Sequence, residues 1–125
     1  MIKMITALTV DDCGVARDFL KIMIETLDIE IIGEALSGKE GVEMYKKLEP
    51  DIVFMDIKMD GMSGFEALAQ IMELDPDAKV IITSSLADQK IIIDEAKRRG
   101  AKAFLAKPLE INNVRAAVHE AMTAD

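Results

Sequence analysis

Six side chains suited to phosphoryl chemistry stand where apolar, Ile- and Val-rich runs of the sequence end. They are three carboxylates, two hydroxyls and one ammonium: Asp11, Asp12, Asp56, Thr83, Ser84 and Lys107. Three carboxylates that meet at one place repel one another, and each raises the pKa of the others unless a cation joins them. Oxygen ligands in a partly aqueous setting suit Mg²⁺, which binds one or two carboxylates together with phosphate oxygens. With an ammonium and a hydroxyl beside the ion, the set predicts a magnesium-dependent phosphoryl site.

The elements that would position these side chains follow from an alternation of two patterns. The apolar runs predict buried strands at residues 5–10, 29–32, 52–55, 80–82 and 103–106. Apolar residues with helical spacing lie between and after them: Val15, Phe19, Ile22 and Met23; Val42, Tyr45 and Leu48; Phe65, Leu68 and Met72; and Val114, Val118 and Met122. Ser37 with Glu40 and Ser63 with Glu66 match the capping box of a helix start. Repeated strand–helix units predict a doubly wound α/β domain, a parallel sheet with helices on both faces.

The second predicted strand lacks a comparable polar end. If it is the outer neighbour of the first strand, the other four strands form a contiguous row, and their end residues converge where such sheets bind ligands. Each feature is ordinary alone, because an acidic pair after a strand is often a helix cap. The coincidence of all four strand ends favours the phosphoryl site.

Composition narrows the possible partners and predicts one domain over residues 1–125. The chain has 125 residues and a net charge of −8, which argues against direct binding of nucleic acid or an anionic membrane. The basic cluster Lys97, Arg98, Arg99 and Lys102 precedes or surrounds Gly100 and is typical of a helix end. Because no apolar run approaches the roughly 20 residues of a membrane span and no signal peptide is recognisable, we expect a cytoplasmic protein.

Three further features have structural interpretations. Cys13 is the one cysteine, and its acidic neighbours disfavour a reactive thiolate, so we expect a small buried or capping residue. The single histidine, His119, has no second histidine for a zinc site or a nucleophile beside it for a triad. Ile91, Ile92 and Ile93 span about 200° of a helix, so at least one should be exposed.

The ordered motifs resemble one family over nearly the whole chain. They are Val10-Asp11-Asp12; Met55-Asp56 followed by Met59, Met62, Ser63 and Gly64; Thr83-Ser84; and Gly100-Ala101 leading through Phe104 to Lys107-Pro108. This set resembles the receiver domain of two-component response regulators. The resemblance implies a flavodoxin-like, five-stranded sheet in the order 2-1-3-4-5. The length is similar to that of the single-domain chemotaxis type.

By that resemblance, Asp56 is the phosphoacceptor, which takes a phosphoryl group from the phosphohistidine of a sensor histidine kinase. Asp12 would bind Mg²⁺ directly and Asp11 mainly through water, while Asp56 and the backbone carbonyl of Lys58 complete the protein ligands. The family members are phosphoacceptor switches rather than enzymes in the usual sense. The implied partners are the kinase and an output protein such as a motor-switch component, bound by a monomer.

The resemblance also assigns the switching residues. Lys107 contacts the phosphoryl group, and Phe104 matches the aromatic switch position. Ser84 is chosen over Thr83 as the hydroxyl because its spacing from Asp56 and Lys107 lies closer to that of the family. The Lys107–Pro108 bond is cis in the family.

The chain departs from the family pattern at Asp60, which replaces the usual Pro, and in a fourth helix that is one residue longer. Three alternatives differ in kind. A haloacid dehalogenase type phosphatase places its nucleophile in an Asp-x-Asp motif, unlike Asp11-Asp12-Cys13. A flavodoxin-like electron carrier needs a phosphate loop rich in Gly and hydroxyls after the first strand, where this chain has acidic residues. A receiver fragment of a larger transcription regulator stays open.

Overall fold

The fold is an alternation of strands and helices, as predicted. The computed structural model describes residues 4–59, 61–85 and 90–124. Its elements are β1 (Ile5–Val10), α1 (Gly14–Thr26), β2 (Ile29–Ala35), α2 (Gly38–Leu48), β3 (Ile52–Asp56), α3 (Gly64–Leu74), β4 (Val80–Ser84), α4 (Lys90–Arg98), β5 (Ala103–Ala106) and α5 (Ile111–Thr123). The expectations that concern Asp60 and the start of the fourth helix depend on residues outside this description.

All strand pairs are parallel, and the order is β2-β1-β3-β4-β5, which confirms the expected topology. β2 is three residues longer than predicted. The apolar run is interrupted at Gly33 and Glu34, yet pairing with β1 continues to Ala35 after a register shift opposite Ala7 and Leu8. A bulge of this kind leaves no apolar periodicity in the sequence.

The sheet is buried on both faces. Leu8, Val53 and Ile82 belong to a core beneath α2, α3 and α4. The alternate residues, such as Ala7 and Phe54, belong to a second core beneath α1 and α5. This arrangement explains why the strands are continuous apolar runs rather than alternating ones. It leaves the carboxyl ends of four neighbouring strands at one open edge.

Helix α1 is present as predicted, but most of the apolar residues whose spacing predicted it do not pack on the sheet. Val15, Phe19 and Ile22 are 65%, 59% and 64% exposed, whereas Leu20 and Ile24 are buried. The helix therefore carries two apolar stripes, and only the stripe of Leu20 and Ile24 packs on the sheet. Helical periodicity identified the helix without showing which stripe faces the core.

The helix ends agree with the sequence more closely. The Ser37 and Ser63 hydroxyls accept hydrogen bonds from the backbone N–H of Glu40 and Glu66, at 3.1 and 3.2 Å. Gly100 follows α4 with φ of 108°, a conformation that favours glycine. The basic cluster lies at the end of α4 as expected, since Lys97 and Arg98 belong to its last turn. Arg98 and Arg99 both pair with Glu95.

Helix α4 also bears out the expectation for its three isoleucines. Ile91 is 82% exposed, while Ile92 and Ile93 are half-buried. Within residues 4–59, 61–85 and 90–124, no helix is long and apolar enough to cross a membrane.

Candidate metal and phosphoryl site

Three carboxylates meet at the carboxyl edge of the sheet. One oxygen each from Asp11, Asp12 and Asp56 lies within 4.8 Å of the other two. Asp11 and Asp56 are only 7% and 6% exposed, while Asp12 faces solvent. This set of oxygen donors, closed on one side and open on the other, fits a Mg²⁺ ion that keeps part of its water.

Lys107 joins two of the carboxylates. Its Nζ donates to Asp11 Oδ2 at 3.0 Å and to Asp56 Oδ1 at 3.2 Å. Its own backbone N–H donates to the carbonyl of Ser84 at 3.0 Å, which fixes the position where β5 ends beside β4. The Lys107–Pro108 bond is cis, as the resemblance implies. The sequence prediction that these strand ends converge is thus confirmed for both partners of Lys107.

Burial and the charge of the ion-pair partner shift the pKa of Asp56, and that of Lys107, in opposite directions. Burial raises the pKa of Asp56 above its usual value, the charge of Lys107 lowers it, and the nearby Asp11 and Asp12 raise it further, so the net shift is upward. Burial alone would lower the pKa of Lys107, but the hydrogen bond to Asp11 and the charge of Asp56 outweigh it and raise that pKa. Excess negative charge in a partly buried setting favours a bound cation.

Asp11 is held at every polar atom of its backbone and side chain. Its N–H donates to Ala35 of β2 at 3.1 Å, and its carbonyl accepts from Arg17 Nη1 at 2.6 Å. Its Oδ1 accepts from the backbone N–H of Cys13 at 2.9 Å, and its Oδ2 from Lys107. The sequence analysis did not single out Arg17, whose role depends on backbone geometry that no motif records.

Cys13 differs from the expectation in one respect. It is the residue before α1, as a capping residue would be, but it is exposed rather than buried and its side chain makes no cap hydrogen bond. The polar contact that Cys13 makes with the β1–α1 junction comes from its backbone N–H, which donates to the Asp11 carboxylate, and not from its thiol.

The loop after β3 packs closely against Gly64, the first residue of α3. The N–H of Gly64 donates to the carbonyl of Ile57 at 2.8 Å, and a Cβ at Gly64 would lie 2.1 Å from the Asp56 carbonyl oxygen. Any side chain there would push α3 away from the loop that follows Asp56. Lys58, whose backbone carbonyl is the expected metal ligand, is exposed in this loop.

Thr83 and Ser84 are both buried at the end of β4, but the register places them on opposite faces. Thr83 lies two residues after Ile81 and therefore on the same face of the strand, which contacts the core beneath α1 and α5. Ser84 lies on the same face as Ile82. Ile82 pairs with Phe104 of β5, and both contact the core beneath α4. Successive residues of a strand point to opposite faces, so Ser84 and Phe104 lie on the same face of the sheet.

The comparison with known families decides what kind of domain carries this site. Residues 7–119 match the model of the response regulator receiver domain. The chain belongs to the receiver domain family. The geometry of the carboxyl edge is therefore that of a signalling domain, and not of a dehalogenase-type phosphatase or a flavodoxin.

Relatives of two lengths match the chain. The chemotaxis protein CheY of Thermotoga maritima is 46% identical over 107 residues, which cover 86% of this chain and 88% of that protein. The nitrate/nitrite response regulator NarL of Escherichia coli is 31% identical over 121 residues, 96% of this chain but 56% of NarL. Among solved structures, the CheX–CheY–BeF₃–Mg²⁺ complex from Borrelia burgdorferi matches with a TM-score of 0.88 and 34% identity, covering 91% of this chain and 86% of that chain.

Proposed function

We propose that this chain is a phosphoacceptor response regulator that receives a phosphoryl group on Asp56 from a sensor histidine kinase and switches the binding of an output protein. The observation that carries the proposal is the meeting of Asp11, Asp12 and Asp56 at one edge, with Lys107 bonded to two of them. A structural ion pair needs one carboxylate per ammonium, so the extra acid groups favour a bound cation beside Asp56.

In the proposed reaction, a carboxylate oxygen of Asp56 attacks the phosphorus of a phosphohistidine. The new P–O bond forms an acyl phosphate, and the P–N bond breaks with its electron pair returning to the imidazole. Lys107 would exchange its contact with Asp56 Oδ1 for a phosphoryl oxygen. The carboxylates of Asp12, Asp11 and Asp56 with the carbonyl of Lys58 would hold Mg²⁺, which supplies positive charge to the phosphoryl oxygens. The Borrelia complex includes BeF₃ and Mg²⁺, which supports a magnesium-dependent site in this chain.

The proposed switch links Ser84 to Phe104. The Ser84 hydroxyl would donate a hydrogen bond to a phosphoryl oxygen on Asp56, and its movement would empty space that the half-buried Phe104 ring fills. One charge-assisted hydrogen bond contributes about 1.5–3 kcal/mol, enough for a tenfold change in population. The face of α4, β5 and α5 would then change, including Phe104 and the exposed Ile91.

We further propose that residues 1–125 act as a single cytoplasmic receiver in chemotaxis, since the Thermotoga relative is a chemotaxis protein and the match covers 88% of it. The second candidate is the receiver part of a larger response regulator, which the match to NarL favours. The native reading frame around the coding sequence distinguishes the two.

The central test is phosphorylation by a small donor. Incubation with acetyl phosphate and Mg²⁺ should give one phosphoryl adduct per chain by intact-mass analysis, and Asp56→Asn should give none. Asp51→Asn, which changes an aspartate at the other end of β3, is the matched control and should keep the adduct. An undiminished adduct in Asp56→Asn contradicts the proposal.

The switch is tested at the two hydroxyls. Ser84→Ala should still be phosphorylated but should lose the change in the Phe104 ring resonances that a beryllofluoride adduct produces in the unaltered protein. Thr83→Ala should keep that change and lose mainly stability. The reverse pattern would show that Thr83 is the switch hydroxyl.

A further inference from the structure

Arg17 stands one turn into α1 and reaches back over the junction that carries both metal-site aspartates. Its side chain is only 17% exposed. Its Nη1 donates to the backbone carbonyl of Asp11 at 2.6 Å, and its Nε lies 3.5 Å from Glu34 Oε1 of β2, an ion pair rather than a hydrogen bond. A mostly buried guanidinium therefore connects α1, the β1–α1 junction and the neighbouring strand.

This junction lacks the usual means of fixing a helix start. Ser, Thr, Asp or Asn at the residue before a helix ordinarily binds the first free N–H groups. Here that residue is Cys13, whose side chain makes no cap hydrogen bond, and Gly14 follows it. Two other contacts fix the backbone here: the Cys13 N–H donates to Asp11 Oδ1, and Arg17 donates to the Asp11 carbonyl. Of these two, only the contact of Arg17 holds the peptide that joins Asp11 to Asp12.

The contact of Arg17 has a direct consequence for Asp12. The carbonyl of Asp11 and the N–H of Asp12 belong to one planar peptide unit. Holding that carbonyl therefore sets the plane from which the Asp12 side chain departs. Asp12 itself is exposed, so the packing of a core does little to position it.

We infer that Arg17, held by Glu34, is a positioning residue for the magnesium site: it fixes the Asp11–Asp12 peptide so that Asp12 presents its carboxylate beside Asp56. The inference rests on the metal site proposed above. It concerns a residue that touches none of the reacting atoms. Residues that orient metal ligands in other proteins typically contribute 10- to 100-fold to metal affinity.

The sign of the effect separates this role from simple electrostatics. Arg17 is a cation near a site for a dication, so its removal by charge alone should tighten the binding of Mg²⁺. Loss of positioning should weaken it. Arg17→Gln is therefore expected to raise the Kd for Mg²⁺ on the order of tenfold, against the direction that charge predicts.

The experiment is calorimetric titration with Mg²⁺ alone, at a temperature where circular dichroism shows every variant folded. Arg17→Gln is compared with Arg115→Gln, which removes an exposed arginine of α5 and should leave the Kd unchanged. Arg17→Lys keeps the positive charge but lacks the planar N–H donors of the guanidinium, so its affinity for Mg²⁺ should lie between those of Arg17→Gln and the unaltered protein. Glu34→Gln should weaken binding less, and the double variant should be no worse than Arg17→Gln, because the two residues act through one contact.

A second readout is phosphorylation by acetyl phosphate at varied Mg²⁺. In Arg17→Gln the half-saturating Mg²⁺ concentration should rise in parallel with the Kd, while the rate at saturating Mg²⁺ stays within about twofold of the unaltered protein. An unchanged or lower Kd in Arg17→Gln overturns the inference alone. Absence of Mg²⁺ binding in the unaltered protein overturns the proposed function instead.

Discussion

Strand β3 has an aspartate at each end, and the fold treats the two in opposite ways. Asp51, just before the strand, accepts hydrogen bonds from the N–H and the hydroxyl of Thr6, at 2.9 and 3.1 Å, and donates its own N–H to that hydroxyl at 3.0 Å. Asp56, the last residue of the strand, lies among two other carboxylates and shares the ammonium of Lys107. Four residues separate an acid with a structural role from the proposed phosphoacceptor.

The difference lies in what the neighbours can do when a ligand arrives. Thr6 and Asp51 satisfy each other's hydrogen bonds, so the Asp51 carboxylate is already bound by donors of the fold itself. At the carboxyl end one ammonium faces three carboxylates, and burial raises the pKa of Asp56. Repulsion among carboxylates that a bound cation would relieve favours the binding of that cation. The excess negative charge therefore marks the carboxyl end, rather than the amino end, as the candidate binding site.

The largest expected effect is on Mg²⁺ affinity, which should change in variants at the carboxyl end of the sheet and not in a variant at the amino end. Asp12→Ala should abolish Mg²⁺ binding in a calorimetric titration, because it removes a proposed direct ligand and about a third of the local negative charge. Asp11→Ala should weaken binding less, since Asp11 is proposed to act through water. Asp51→Ala should leave the affinity unchanged. Equal losses in Asp11→Ala and Asp12→Ala contradict the separate roles of the two residues.

Much of this comparison is visible in the sequence. The Ile- and Val-rich runs locate all five strands, and parallel topology brings Asp56 and Lys107 to one edge although 51 positions separate them. What the sequence hides are contacts that depend on backbone paths. Neither the hold of Arg17 on the Asp11 carbonyl nor the Thr6–Asp51 pair follows a local spacing rule.

The exposure of the α1 stripe was hidden for another reason. Val15 and Leu20 are both apolar residues of one helix, and periodicity treats them alike. Only the direction from which α1 approaches the sheet decides that Leu20 is buried and Val15 is not. That direction is a property of the whole fold rather than of the helix.

The next effect in size is on stability, and it should appear at the amino end alone. Asp51→Ala removes the acceptor of two hydrogen bonds from Thr6, so the free energy of unfolding should fall by about 2 kcal/mol. Urea unfolding followed by circular dichroism measures this change. Phosphorylation of Asp56 by acetyl phosphate should proceed at the usual rate in the same variant below its unfolding midpoint. A loss of phosphorylation in folded Asp51→Ala would show that the two ends are not independent.

The smallest effect is the dependence of stability on pH at the carboxyl end. Because the pKa of Asp56 is raised above its usual 3.8, the folded protein binds more protons than the unfolded chain between these two values, and stability falls as pH rises through that window. The cost of the buried charge is fully present above the raised pKa and disappears below 3.8. Asp56→Asn removes the charge and should therefore be more stable than the unaltered protein at pH 7 in metal-free buffer.

The size of that advantage should itself change with pH. As pH falls toward the usual value for aspartate, Asp56 becomes protonated in the folded protein and the advantage of Asp56→Asn should shrink. Asp51→Asn should instead be less stable than the unaltered protein at pH 7, because Asn replaces a charged acceptor of the Thr6 hydrogen bonds with a neutral one. Urea unfolding of both variants from pH 4 to pH 7 tests these opposite signs. If both variants lose stability equally at pH 7, the excess charge at the carboxyl end costs the fold nothing, and the contrast between the two aspartates of β3 fails.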